Sequence, residues 1–269
     1  MKTFDEQIIS KRGTNLHATI IESGIEKSPL VLLIHGFKAD RTEGGRFLTV
    51  AQELAKAGVN SICVSFPGCG DSEEPFEQYC MSHCLDDIDV IYQYMLEHYN
   101  IDQNHLGMIG YSMGGRLTCL YTSLHPEFKT IGLWAAASYD DFNGEENFQG
   151  SNIKEMMKEA EANGFAATVN SFDQSILRLS RQFFEDMFHL KPYEGILSYQ
   201  GNVILCHGTK DDMVPFETSE RVFQNLTTKG NRKFVVIENA NHGFGLWDNH
   251  MEQSKQLTDS TIEFFKENL

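Results

Sequence analysis

Runs of apolar residues and amphipathic stretches follow one another along the chain in a repeating order. Near the start, QIISK and LHATIIE flank RGTN, a polar stretch with a glycine, which predicts a hairpin. PLVLLIHGF is a continuous apolar run ended by turn signals, as suits a strand buried on both faces. FLTVAQELAKAG predicts a helix closed by Gly58. NSICVSF reads as a second buried strand. It is followed by CLDDIDVIYQYMLEHY, where Leu85, Ile88, Ile91, Tyr92, Met95 and Tyr99 recur at helical spacing. HLGMIGY is a third short apolar run, with Ser112 directly after it; RLTCLYTSLH then reads as helix and TIGLWAAA as strand. The alternation closes with strand NVILCHG, helix SERVFQNLT, strand KFVVIE and helix QSKQLTDSTIEFFKENL.

Strands alternating with helices predict an α/β fold, a mostly parallel central sheet with helices on both faces. Ligands in such sheets bind beyond the carboxyl ends of the strands, so the residues just past each strand are the ones to read for chemistry. One segment breaks the alternation. Residues 139–195 are polar and dotted with methionine and phenylalanine, and they carry two stretches read as helical, NIKEMMKEAEAN and SFDQSILRLSRQFFEDMF. The segment reads as an inserted helical cap over the carboxyl end of the sheet, the core being residues 1–138 and 196–269.

Composition narrows the function classes. The chain has 269 residues, 41% hydrophobic and 22% charged, enough for a sizeable core without staples. A formal net charge of -16, spread along the chain, opposes binding to nucleic acid or to an anionic membrane surface. The opening residues show no apolar h-region, and the apolar runs are too short to span a bilayer, so a cytoplasmic location is expected. The six cysteines lie mostly in apolar segments, where a free thiol packs as a small hydrophobe. Cys80, His83 and Cys84 are spaced closely, but they open an amphipathic helix and lack a fourth ligand, so core packing is expected there rather than a metal. PGCGDS has G-x-G after a strand, yet Glu73 stands where the dinucleotide fingerprint needs glycine. No metal or organic cofactor is implied. The oligomeric state, a homodimer included, is left open.

Four loops that follow strands carry the candidate chemistry: HGF after PLVLLI, Ser112 after HLGMIGY, HGTKDDMVP after NVILC, and NANHGF after KFVVIE. A serine, an acid and a histidine therefore appear in that order, each just past a strand. Gly110-Tyr111-Ser112-Met113-Gly114 is a G-x-S-x-G sequence at a strand-to-helix turn. Side chains at 110 and 114 would clash with the neighbouring strand and helix in so tight a turn. Together these loops resemble the α/β-hydrolase family, and the resemblance runs over nearly the whole chain. It implies that Ser112 is the nucleophile and His242 the base. The acid it implies is Asp211, which fits the family's G-x-x-D-x-x-V-P loop, with its neighbour Asp212 as the alternative. It also implies an oxyanion hole from the backbone N–H groups of Phe37 and Met113. His35 and His207, each in a His-Gly pair, read as structural.

The short HGF loop, the GYSMGG elbow and the insert resemble, within that family, the cinnamoyl or feruloyl esterases of gut bacteria. The resemblance implies a serine carboxylesterase for small or aromatic acyl esters, with a small-molecule ester as its partner. Tyr139, Asp140 and Asp141 are candidates for a phenolic hydroxyl, and Phe183, Phe184 and Phe188 for its ring; phenylalanines at helical spacing equally suit the core of the cap. Three other activities compete with this reading: a peptidase or amidase of the prolyl-oligopeptidase type, a thioesterase, and a non-catalytic binding protein on the same scaffold.

Overall fold

The computed structural model describes residues 1–140, 151–170 and 174–269, together with the backbone of Asn147–Phe148. Its centre is an eight-stranded sheet. In chain order the strands are β1 (Lys2–Ile9), β2 (Asn15–Glu22), β3 (Ser28–Ile34), β4 (Asn60–Val64), β5 (Ile101–Tyr111) and β6 (Phe128–Trp134). Two short strands outside the sheet, β7 (Asn147–Phe148) and β8 (Ser151–Asn152), pair with each other, as do β9 (Phe165–Val169) and β10 (Ile176–Ser180). The last two strands of the large sheet are β11 (Asn202–Gly208) and β12 (Arg232–Ile237). Its spatial order is β1-β2-β4-β3-β5-β6-β11-β12. The opening hairpin is antiparallel and also meets β4 antiparallel; every pairing from β4 to β12 is parallel.

Helices cover both faces. They are α1 (Arg46–Lys56), α2 (Met81–His98), α3 (Met113–Leu124), α4 (Ile153–Asn163), α5 (Arg181–His189), α6 (Pro192–Ser198), α7 (Phe216–Asn225) and α8 (Met251–Asn268). The parallel strands read as continuous apolar runs because both their faces are dry: β4 is buried at every position and β3 at all but one. On one face α1 and α8 close over Val31, Leu33, Cys63 and Ile204. On the other, α2 and α3 close over Leu30, Leu32, Met108 and Leu133.

Among the described residues, the segment 139–195 gives no strand to the large sheet. It is not purely helical. SFDQSILRLSRQFFEDMF, expected as one helix, splits at Ser180; Ser171, Phe172 and Asp173 lie outside the described residues. Ile176–Ser180 is strand β10, paired antiparallel with β9, and the helix begins at Arg181. The Ser180 hydroxyl accepts the Phe183 N–H, so this serine caps the helix instead of continuing it. Among the described residues, the buried apolar side chains of the insert form no separate core. Ile153, Met156, Phe183, Phe184 and Met187 join the cluster on the α2/α3 face.

Candidate active site

Ser112 sits between β5 and α3 with φ 54° and ψ -115°, a backbone region hostile to a side chain. Glycine at 110 and 114 makes that turn possible. A Cβ on Gly110 would collide with the Gly114 carbonyl and the Thr118 hydroxyl, and one on Gly114 would collide with the Ile34 carbonyl of β3. The elbow therefore presses the start of α3 onto the neighbouring strand and leaves Ser112 raised above the sheet. The Ser112 N–H donates to the Trp134 carbonyl at 2.8 Å, which ties the turn to β6.

The Ser112 hydroxyl lies 2.9 Å from His242 Nε2. His242 Nδ1 lies 2.7 Å from Asp211 Oδ2. A carboxylate at Nδ1 fixes the proton on that nitrogen, so Nε2 is the acceptor for the serine O–H. His242 is 3% exposed, and Tyr111 stacks on its imidazole at 5.0 Å while donating its hydroxyl to the His242 carbonyl at 2.8 Å. The ring is thus held from its face as well as from its edge.

Asp211 is the better anchored of the two adjacent aspartates. Its Oδ1 accepts the N–H groups of Met213 and Val214, each at 2.9 Å. Its Oδ2 faces a second histidine, His207, at 3.1 Å. His207 Nε2 also faces the Val214 carbonyl at 2.9 Å, so with acceptors on both sides that nitrogen carries the proton. Burial alone would raise the Asp211 pKa, but the hydrogen bonds from His207 and His242 hold its carboxyl well below the usual carboxylate range. Asp212 is exposed. His207, read from the sequence as structural, is part of the acid's support. The signal in the sequence was its place four residues before Asp211.

The HGF loop flanks the serine: a Cβ on Gly36 would come 3.4 Å from Ser112 Cβ. The Phe66 N–H donates to His35 Nε2 at 3.1 Å, which leaves Nδ1–H to donate to the Gly36 carbonyl at 2.7 Å. That bond fixes the plane of the peptide joining Gly36 to Phe37. The peptide is trans, so the Phe37 N–H points opposite to the held carbonyl. Burial pushes the His35 pKa down to about 4, so the ring stays neutral. The Met113 N–H belongs to the first turn of α3 and has no intrahelical acceptor.

The other expected contacts are placed differently from one another. Phe37 is half-buried and sits in an aromatic cluster with Phe76, Tyr79 and Phe183, at ring separations of 5.4, 5.2 and 5.9 Å. Phe183 and Phe184 are fully buried and meet edge to face at 5.2 Å, so they form the wall behind Phe37 rather than an open surface. Phe188 is only partly buried against the same core. The Asp140 carboxylate is taken up by α6: it accepts the Tyr193 and Glu194 N–H groups at 2.7 and 3.2 Å. Tyr139 is half-buried and lies against the fully buried Arg116. Asp141 lies outside the described residues. Among the described residues, no group of three or more His, Cys, Asp or Glu side chains could hold a metal ion.

Comparison with known proteins places this geometry in a class. A family model described as alpha/beta hydrolase fold matches residues 29–131. The fold is also that of Est1E from Butyrivibrio proteoclasticus with ferulic acid bound, at TM-score 0.81 and 21% identity over 98% of this chain and 99% of that one. GrgF, an alpha/beta hydrolase from Penicillium sp. sh18, superposes at TM-score 0.77 with 13% identity over 100% of this chain and 99% of that one. The esterase domain of a Rhodothermus marinus protein gives 0.69 with 15% identity over 100% and 99%. The protein has the α/β-hydrolase fold. More narrowly, the chain belongs to the family described as BAAT / acyl-CoA thioester hydrolase C terminal, whose model matches residues 89–245. A curated protein, the non-reducing polyketide synthase Preu3 of Preussia isomera, is 38% identical over 66 residues, which is 23% of this chain. The match spans 3% of that synthase's length.

Proposed function

We propose that the protein is a serine carboxylesterase that cleaves small or aromatic acyl esters through an acyl-serine intermediate. The observation that carries this reading is the unbroken path from Asp211 through His242 to Ser112 at the head of α3. In this reading His242 Nε2 takes the serine proton as Oγ attacks the acyl carbon. The oxyanion is met by the N–H groups of Phe37 and Met113, each worth about 10²–10³ in rate. His242 then returns the proton to the leaving oxygen, and water repeats the cycle to release the acid. Asp211, held ionised, stabilises the imidazolium. Residues 139–195 act as the cap, and the half-buried Phe37 ring, backed by Tyr79 and Phe183, favours a flat acyl group. The ferulic acid bound in Est1E supports the same preference.

A second reading, thioester cleavage by the same residues, is supported by the family model over residues 89–245. One comparison tests both. Rates are measured with methyl ferulate, p-nitrophenyl butyrate and butyryl-coenzyme A, with Ser112→Ala as the blank. Higher kcat/KM for ferulate supports the aromatic ester, and higher kcat/KM for the thioester replaces it. Turnover that survives Ser112→Ala removes the mechanism.

A further inference from the structure

The sharp turn RTEGGR, before and into α1, has no task in the mechanism above. Its residues Glu43, Gly44 and Gly45 have successive positive φ values of 50°, 63° and 86°. Glycine adopts these readily; a glutamate there is strained. The bend turns the Glu43 side chain inward, where it is 6% exposed beside Arg46 at 4%. Glu43 Oε2 accepts the Gly36 N–H at 2.9 Å, and Oε1 lies 3.4 Å from Arg46 Nη2. Arg46 Nη1 donates to the Gly243 carbonyl at 3.0 Å. The guanidinium lies over the Tyr111 ring, 4.9 Å from its centroid, and Tyr111 in turn holds the His242 carbonyl. A Cβ on Gly44 would come 2.6 Å from Leu246 Cδ2, so the turn also packs on the loop that carries the base.

We propose that Glu43 and Arg46 are a positioning pair that locks together the loops bearing Phe37, Ser112 and His242. The inference rests on the serine-hydrolase reading and adds to it. Glu43 reaches Gly36 next to Phe37, while Arg46 reaches both Tyr111 next to Ser112 and Gly243 next to His242. His35 holds the carbonyl of the Gly36–Phe37 peptide while Glu43 holds the N–H of the peptide before it. Together they leave this stretch of backbone little freedom to turn. Stability alone explains the pair poorly, because buried ion pairs are often replaceable by apolar side chains without loss, and the positive φ at Glu43 is a cost. Precise placement of three loops explains both, since donors must sit within about 0.5 Å of the productive geometry.

The test measures kcat and KM with p-nitrophenyl butyrate for Glu43→Ala, Glu43→Gln and Arg46→Lys, per folded site counted with a fluorophosphonate label. Glu43→Ala should lower kcat by about 100-fold, the size of a lost oxyanion donor, with KM changed by less than about threefold. Glu43→Gln keeps an oxygen for the Gly36 N–H and should recover about tenfold of that loss. Arg46→Lys cannot reach Gly243 and Glu43 as a fork and should lose about tenfold in kcat. Wild-type kcat in Glu43→Ala overturns the pair, and so does a rise in KM alone. If Glu43→Ala does not fold, wild-type kcat in both conservative variants overturns it. Ser112→Ala is run beside them: its retaining activity sinks the hydrolase reading itself, whereas its inactivity beside a fully active Glu43→Ala sinks the pair alone.

Discussion

The loops that follow the strands and the inserted segment 139–195 are built in opposite ways. The loops are held by charge and by several hydrogen bonds per group: Asp211 alone faces His242, His207 and two backbone N–H groups. Among the described residues, the insert joins the apolar core of the α2/α3 face and is tied to it by polar anchors spaced apart. Asp186 accepts the Ser82 N–H and hydroxyl at the start of α2. Arg116 of α3 donates to the carbonyls of Ala137, Tyr139, Met187 and Leu190, and so clasps both ends of the insert. Directional bonds fix atoms to fractions of an ångström, while packing tolerates exchange of one apolar shape for another. In the proposed reading, chemistry belongs to the first region and selectivity to the second.

That division can be broken by experiment. The largest expected effect is Ser112→Ala, a fall in kcat of about 10⁴–10⁶ on every ester tried; a loss confined to one ester would place chemistry and selectivity in the same residue. Asp211→Asn should cost about 10⁴, with Asp212→Asn near wild type. Stopped-flow rates on the two variants decide this, and the reverse ranking moves the acid by one residue. Arg116→Met should leave kcat on p-nitrophenyl butyrate within about threefold and raise KM for methyl ferulate by about tenfold, as the insert loses its clasp. A matched fall in kcat on both esters would mean that the insert shapes the chemistry too. Phe184→Ala should lower stability by about 3–5 kcal/mol in urea melts, with activity per folded molecule retained.

The smallest effect concerns pH. The Asp211 pKa is lowered in the folded state, so the stability it contributes is present above its unfolded value and lost as acid protonates it. Thermal melts of wild type should therefore fall more steeply between about pH 5 and pH 2 than those of Asp211→Asn. Parallel slopes would mean that the carboxylate contributes no linked stability.

Much of this architecture was legible in the sequence. The parallel strands carry apolar runs toward their carboxyl ends, and each of the four loops with candidate chemistry follows such a strand. The glycines at 110 and 114 could be assigned to close backbone crossings because G-x-S-x-G follows an apolar run and precedes a helix, as in the family the chain resembles. What the pattern did not show depends on tertiary contact. Glu43 and Arg46 belong to no motif in the sequence, and a turn with three successive positive φ values brings them inward. Asp140 could be paired with a phenol on paper because nothing in one dimension shows that the start of α6 claims its oxygens. ILRLS read as helix because short apolar runs do not declare their period, and the β9 partner that settles the matter is brought by the fold.

The spacing of Ser112, Asp211 and His242 along the chain has a consequence for how the protein is made. The serine precedes the histidine by 130 residues. At roughly 5–20 residues per second, synthesis of that interval takes on the order of ten seconds. Gly110 and the Ile34 carbonyl are made before that interval and Gly114 at its start, Trp134 follows within it, and Asp211 comes 31 residues before His242, so the histidine is the last of the three to be made. β11 and β12 are the last strands in chain order, and Asp211 and His242 lie in the loops that follow them. In the proposed reading, a chain still short of β12 carries a serine without its base, and the hydroxyl is armed only when the far edge of the sheet closes.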